Sequence, residues 1–385
     1  MARSFLWFQA LLALACTPPS TGFEPGLAHS HDAGAMRDDA AVPDAGVEAA
    51  CPSFSHRADG GYTSTLTWSE QETGPAARDH HMTFTVTTEH GGTLYVTGGI
   101  DEPARSARND LWSAPLSPSG EVGVWVRGPT PPLFQTGSAI ATVGPRTYVF
   151  GGKTASNGRI TLTPEVQSLE VSHSGMPVAW RTERAMPGPH FHASGHGFER
   201  WVYVIGGLNV ASGLATTTVL RAEVLDDGAL GPWSTAAELP EPRTHHTSFI
   251  AGRKLFVVSG IDGSGFGFDP TDFRDGLVAT IDAQGNLGPW TRFSLPFSSV
   301  AGSAAVVGRA VYIVGGLSEL VPTAAVWRAS IGADDSLGPW QALSPFPFAR
   351  GHVHQTPAWR QFIYSVGGNT GNHVAVNRVV RGEVQ

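Results

Sequence analysis

The chain has 385 residues, 41% of them hydrophobic and only 15% charged, with 47 Gly, 28 Pro and two Cys. A surplus of Gly and Pro with few charges excludes a coiled coil or helical bundle, and two Cys exclude a disulfide-built scaffold; many short strands joined by turns fit instead. The net charge of −8 leaves no basic stripe to neutralise phosphates, so no nucleic-acid partner is expected.

Arg3 opens a short positive region, and an apolar run from Phe5 to Ala15 follows. The run is too short to span a bilayer, which takes about 20 residues. It has the form of an export signal, residues 1–15. Its end, Ala13-Leu14-Ala15-Cys16, resembles a bacterial lipobox, with Ala13 where Leu is usual. The resemblance implies cleavage before Cys16, lipidation of Cys16 and, with Thr17 rather than Asp next to it, an outer-membrane lipoprotein of the bacterial envelope. The alternative is an ordinary signal cut nearby and a secreted or periplasmic protein. A lipid anchor is the one membrane contact expected, because no later apolar run reaches transmembrane length.

Residues 17–60 are rich in Ala, Asp, Pro, Gly and Ser, with loose copies at His-Asp-Ala-Gly (31–34) and Pro-Asp-Ala-Gly (43–46). Large apolar side chains are nearly absent, so the stretch cannot offset its ordering entropy and reads as a flexible tether. His29 and His31 read as solvated tether residues. Cys51 is an odd thiol if Cys16 carries lipid, and otherwise can pair with it; in either case residues 61–385 contain no disulfide.

Along residues 61–385 an apolar strand ending in a Gly doublet recurs six times, ending at Gly99, Gly152, Gly207, Gly260, Gly316 and Gly368, with spacings of 53, 55, 53, 56 and 52. Tyr95, Tyr148, Tyr203, Tyr312 and Tyr364 precede five of the doublets at one position, Phe256 holds the sixth place, and Ser259 replaces one Gly. Six tryptophans run in phase: Trp68, Trp125, Trp180, Trp233, Trp290 and Trp340. A fixed period near 50 marks a repeat architecture. Each unit reads as four strands; in the fourth these are Thr247–Ala251, Lys254–Val258, Leu277–Ile281 and Trp290–Phe293. The turns Asp227-Gly228, Gln284-Gly285 and Asp335-Ser336 suit hairpins between third and fourth strands.

A strand ending in Gly-Gly, a Tyr before it and a later Trp at this period resemble kelch repeats. The resemblance spans 61–385 and implies an all-β, six-bladed propeller of four-stranded blades. The last repeat stops after its third strand, near Val376–Val384, while Thr63–Gln71 precedes the first doublet. The N-terminal strand is therefore expected to complete the sixth blade as its outer strand. Ser259 is expected to alter the bend of its blade slightly, and the tryptophans to pack outer strands on neighbouring sheets.

No phosphate-loop, zinc-protease, Cys-x-x-Cys or nucleophile-elbow motif is present. His81, His192, His246 and His354 fall close to one register at the start of first strands, with Ser138 and Gly302 in the other two places. Arg78 and Arg243 stand three residues before their His, and Arg350 four before His354. These positions should rim the central channel, where a His ring can bind metal, hold a proton near pH 7 or meet an anion, with Arg78, Arg243 and Arg350 as anion contacts. The alternative is that the Arg-x-x-His starts satisfy backbone groups. His80, His190, His245 and His352 are neighbours whose facing the sequence leaves open. The blade-four loop, Gly263–Phe273, offers Phe266, Phe268 and Phe273 as an exposed contact surface or a folded-back cap. Asp269, Asp272 and Asp275 match no defined calcium loop, and no metal, cofactor or catalytic residue is assigned.

Two functions compete. The favoured one is an envelope-anchored, non-catalytic binding module for a protein, peptide or glycan on the loop face. The alternative is a carbohydrate-active enzyme, on resemblance to six-bladed kelch proteins that isomerise sialic acid. A copper oxidase of the galactose oxidase type is excluded, because it needs a Cys cross-linked to Tyr and residues 61–385 hold no Cys.

Overall fold

The computed structural model describes residues 65–89, 91–101, 106–156, 159–208, 214–263, 272–319, 321–353, 355–370 and 374–385. The expected signal, Cys16, the tether and Cys51 lie outside the described residues, as do Phe266, Phe268, Asp269 and His354.

Six four-stranded antiparallel sheets make a six-bladed β-propeller. Blade 1 holds Met82–Thr88, Gly91–Thr97, Leu111–Leu116 and Val126–Arg127. Blade 2 holds Ala139–Val143, Arg146–Phe150, Val166–Val171 and Pro177–Thr182, and blade 3 Ser194–Phe198, Trp201–Ile205, Val219–Glu223 and Ser234–Thr235. Blade 4 comprises Thr247–Ala251, Lys254–Val258, Asp275–Thr280 and Thr291–Ser294; blade 5 comprises Ser303–Val307, Ala310–Val314, Val326–Ser330 and Gln341–Ala342. Blade 6 starts with Ala358–Trp359, Phe362–Val366 and Val379–Val384. Its fourth strand is Leu66–Glu70, paired with the last strand in the register Leu66↔Val384, Trp68↔Gly382 and Glu70↔Val380. The ring thus closes through the N-terminal strand, as the strand count requires.

The core lies in the seams. Met82, Phe84 and Tyr95 of blade 1 pack on Ile140 and Val149 of blade 2. Leu94 and Val96 meet Trp359, Phe362 and Tyr364 across the closing seam. The second strands are almost wholly buried because sheets cover both faces, which is why they read as continuous apolar runs.

The repeated tyrosine staples four of the blades to the next. Its hydroxyl donates to the carbonyl of the glycine in the following blade's third hairpin: Tyr148 to Gly228 (2.7 Å), Tyr203 to Gly285 (2.8 Å) and Tyr364 to Gly120 (2.8 Å), with Tyr95 to Gly175 likewise. At the blade 4–5 seam Phe256 has no hydroxyl, and Asp335 stands where those hairpins have glycine, still left-handed at φ 61°. There Lys254 Nζ donates instead to the Asp334 carbonyl at 2.8 Å. Tryptophans tie the outer rim back: the Nε1 of Trp180, Trp233 and Trp290 donates to the carbonyls of Pro129, Arg184 and Ala237 at 2.9–3.0 Å.

The bend at Ser259 differs from the sequence expectation. It is not altered: Ser259 takes φ 57°, among the 55–66° of the glycines in that place. Its Oγ accepts from Ser299 N and donates to the Phe273 carbonyl, both at 2.9 Å. These two bonds offset the cost of a left-handed L-residue, roughly 1 kcal/mol.

Candidate functional site

In all six repeats the lead into the first strand bridges the residue after the Gly doublet: Asp79↔Ile100, Thr136↔Lys153, Phe191↔Leu208, Thr244↔Ile261, Val300↔Leu317 and Gly351↔Asn369. This places the start of each first strand and the connection to each third strand at one end of the propeller. The next residue in each copy is His80, Gly137, His192, His245, Ala301 or His352, and all six are left-handed, with φ of 56–61°. Backbone bonds link several of them around the axis: Gly137 N to His80 O (2.9 Å), His192 N to Gly137 O (3.2 Å) and Ala301 N to His245 O (2.9 Å).

A left-handed position favours glycine, yet one of the six is glycine and four are histidine. Gly137 has a specific reason, since a Cβ there would lie 2.4 Å from the Phe191 ring. Each histidine accepts about 1 kcal/mol or more of backbone cost, although His tolerates this region better than most residues.

The four imidazoles are 0–5% exposed. They form two pairs, His80 with His352 (ring centroids 5.1 Å apart) and His192 with His245 (4.6 Å), and His80 and His192 stand 6.4 Å apart across the gap at Gly137. Asp79 Oδ1 hydrogen-bonds His80 Nδ1, and Asp79 Oδ2 accepts from Asn369 Nδ2 at 3.3 Å. Asp79, His80 and His352 offer metal-ligand atoms that all lie within 4.8 Å of one another.

His192 is therefore in the innermost ring, whereas His81 and His246 stand one residue further along the repeat. His246 Nε2 pairs with Ser194 Oγ at 2.8 Å, and burial, then the Arg243 charge, pushes its pKa down to about 3. Burial, then the charges of Arg78 and Arg350, hold His81 well below the usual value. Burial also lowers His190, partly offset by the Gly206 carbonyl 2.8 Å from its Nδ1. His80, His245 and His352, whose facing the sequence left open, are the ones that join His192. Counting back 14 residues from the first member of the doublet lands on Gly137, His192, His245 and Ala301. Blades 1 and 6 hid the pattern: His352 stands 15 residues back, and the seven-residue first two strands of blade 1 move His80 to 18.

The three arginines lie inside the seams. Arg78 forks onto Asp110 (2.7 and 3.0 Å) and the Gly98 carbonyl (3.1 Å). Arg243 forks onto Asp275 (2.9 Å to each oxygen), pairs with Glu241 and covers the half-buried Phe273 ring at 4.1 Å. Arg350 donates to Gly367 O at 2.7 Å, but Arg378 occupies the place that Asp110 and Asp275 hold in the other blades. Burial and the Arg378 charge pull its pKa down to about 9. Asp272 accepts from Ser298 Oγ (2.8 Å) and Glu319 N (3.1 Å), tying blade 4 to blade 5.

No protein-family model matches the chain. Among curated proteins it is similar to N-(sulfonatooxy)prop-2-enimidothioate sulfolyase of Thlaspi arvense, 26% identical over 273 residues, covering 66% of this chain and 75% of that protein. Among solved structures it is similar to YjhT, with a TM-score of 0.64 at 13% identity, covering 82% of this chain and 99% of that one. The second likeness concerns the fold alone.

Proposed function

We propose that the chain is a kelch-type binding propeller, carried on an envelope lipoprotein anchored through Cys16, that takes a protein, peptide or glycan at the loop end of its axis. The observation that carries this reading is the set of four buried histidines held left-handed at that end, against the backbone preference for glycine. Strain of this kind collects at working sites. Arg78 and Arg243 are committed to protein carboxylates, so the reading rests on the histidines and the surrounding loops. Calorimetry of the full chain against sialic acid, other sugars and acidic peptides tests it. Saturable binding, weakened at least tenfold by His192→Gly or His245→Gly, is expected. Binding that survives both substitutions moves the site elsewhere.

A second reading, a carbohydrate-active enzyme of the sialic acid isomerase type, draws on the Asp79–His80 pair, since a carboxylate-oriented imidazole is the usual form of a general base. The Thlaspi arvense relative, named as a sulfolyase, is also an enzyme. Turnover of a sugar that His80→Gln abolishes while affinity is kept would favour it.

A further inference from the structure

We propose that the seam of blade 6 binds the carboxylate of a small organic acid from outside the chain, held between Arg350 and Arg378. Every seam follows one plan. A residue leading into the blade meets the carbonyl of the first member of the Gly doublet: Arg78 at Gly98 and Arg243 at Ser259, both at 3.1 Å, and Arg350 at Gly367, at 2.7 Å. Gln135, His190 and Ser299 meet that carbonyl in the other three blades. The amide of the same doublet residue donates to the carbonyl of a residue at the head of the third strand, and this fixes what faces the seam residue. Arg78 is given Asp110 and Arg243 is given Asp275, but Arg350 is given Arg378.

Charge is therefore balanced in blades 1 and 4 and unbalanced in blade 6. A buried guanidinium without a counter-charge is costly to the fold. Arg350 is 2% exposed, and no carboxylate hydrogen-bonds it among the described residues. Its Nη2, the atom that meets a carboxylate oxygen in both Arg78 and Arg243, has no hydrogen-bond partner there. Arg378 turns Nε and Nη2 to Glu70, and its Nη1 makes no hydrogen bond among the described residues. Both guanidiniums lie against one ring, with the Phe348 centroid 3.6 Å from Arg378 Cζ and 5.7 Å from Arg350 Cζ. The place is open to solvent: the side chains of Asp110 and Asp275 keep 16% exposure, and that of Arg378 keeps 36%. A planar carboxylate suits the fork of a guanidinium. One set where blades 1 and 4 carry their own would give Arg350 Nη2 its acceptor and separate the two positive charges.

The inference does not depend on the axial reading above, because formate alone tests it. Formate is titrated into the full chain at constant ionic strength, balanced with methanesulfonate, and the melting midpoint is followed. A saturable rise is expected, larger than chloride gives at the same concentration. Three substitutions copy what other blades carry at these places, so the fold should persist: Arg350→Gln as in Gln135, Arg378→Ala as in Ala325, and Arg378→Asp as in Asp110. Arg378→Ala should weaken the apparent affinity about tenfold or more. Arg350→Gln should abolish the response, and so should Arg378→Asp, because the chain then carries its own carboxylate. No saturable rise, a rise with chloride as large as with formate, or an undiminished response in Arg350→Gln (placing the acid elsewhere) would each overturn the proposal.

Discussion

His246 Nε2 meets Ser194 Oγ at 2.8 Å across the seam between blades 3 and 4, and two residues along the same strands His196 Nε2 meets Ser248 Oγ, also at 2.8 Å. Each innermost strand thus offers one imidazole and one hydroxyl to the other. Burial pushes both imidazoles down to about 3.

That pair sets an acid limit on stability. The native pKa values lie below the ordinary 6.5, so the unfolded chain binds protons that the native state refuses. The contribution is intact above about pH 6.5 and is lost progressively as the pH falls towards about 3, by about 1.4 kcal/mol per pH unit for each histidine. Melting curves between pH 4 and 7 should show the midpoint falling steeply below pH 6.5. The slope should be shallower by about one proton in His246→Gln. A flat profile down to pH 4.5 would contradict neutral pairing.

The tyrosine staples predict effects of opposite sign. Tyr203→Phe leaves the Gly285 carbonyl without its buried donor and should cost about 1 kcal/mol. Phe256→Tyr supplies the missing hydroxyl at the blade 4–5 seam, where Asp335 keeps the left-handed turn, and should gain a similar amount. Denaturant midpoints at constant m-value measure both. A loss on Phe256→Tyr would show that this seam is built differently.

Arg350 is a buried guanidinium facing another arginine. Among the described residues one of its terminal nitrogens has no hydrogen-bond partner. Arg378→Asp would give it the carboxylate that Arg78 and Arg243 have. A hydrogen bond to a charged group brings about 1.5–3 kcal/mol, whereas the surface pair of Arg378 with Glu70 that is lost is worth about 0–1 kcal/mol. The variant should therefore be more stable by about 1 kcal/mol or more, read as a higher melting temperature, and a lower one would refute this accounting.

Fold was more legible than site. The Gly doublets are written into the sequence by sterics: a Cβ on Gly207 would lie 2.8 Å from the Ala193 backbone, so a side chain there would have to displace it. Tyrosine marks a bond at four of the seams and tryptophan at three, and recurrence makes them visible. The axial histidines recur in four of six places, and two of them, His80 in blade 1 and His352 in blade 6, are shifted against the count. Arg78 and Arg243 looked like ligand contacts because charge on a strand-leading loop suggests solvent. Their partners, Asp110 and Asp275, lie 32 residues away, and linear sequence does not show that they meet.

Closure by Leu66–Glu70 has a consequence for the order of folding. The strand that completes the ring is the first of the propeller to leave the ribosome, and its partner, Val379–Val384, is the last. Blades 1 to 5 can form in turn from hairpins of neighbouring residues. The final pairing joins positions more than 300 residues apart, so it waits on the folded blades between them to bring the two strands together. Until Val379–Val384 has emerged, blade 6 has an open edge of unpaired backbone groups, and so long as it stays open the nascent chain is exposed to strand exchange with its neighbours.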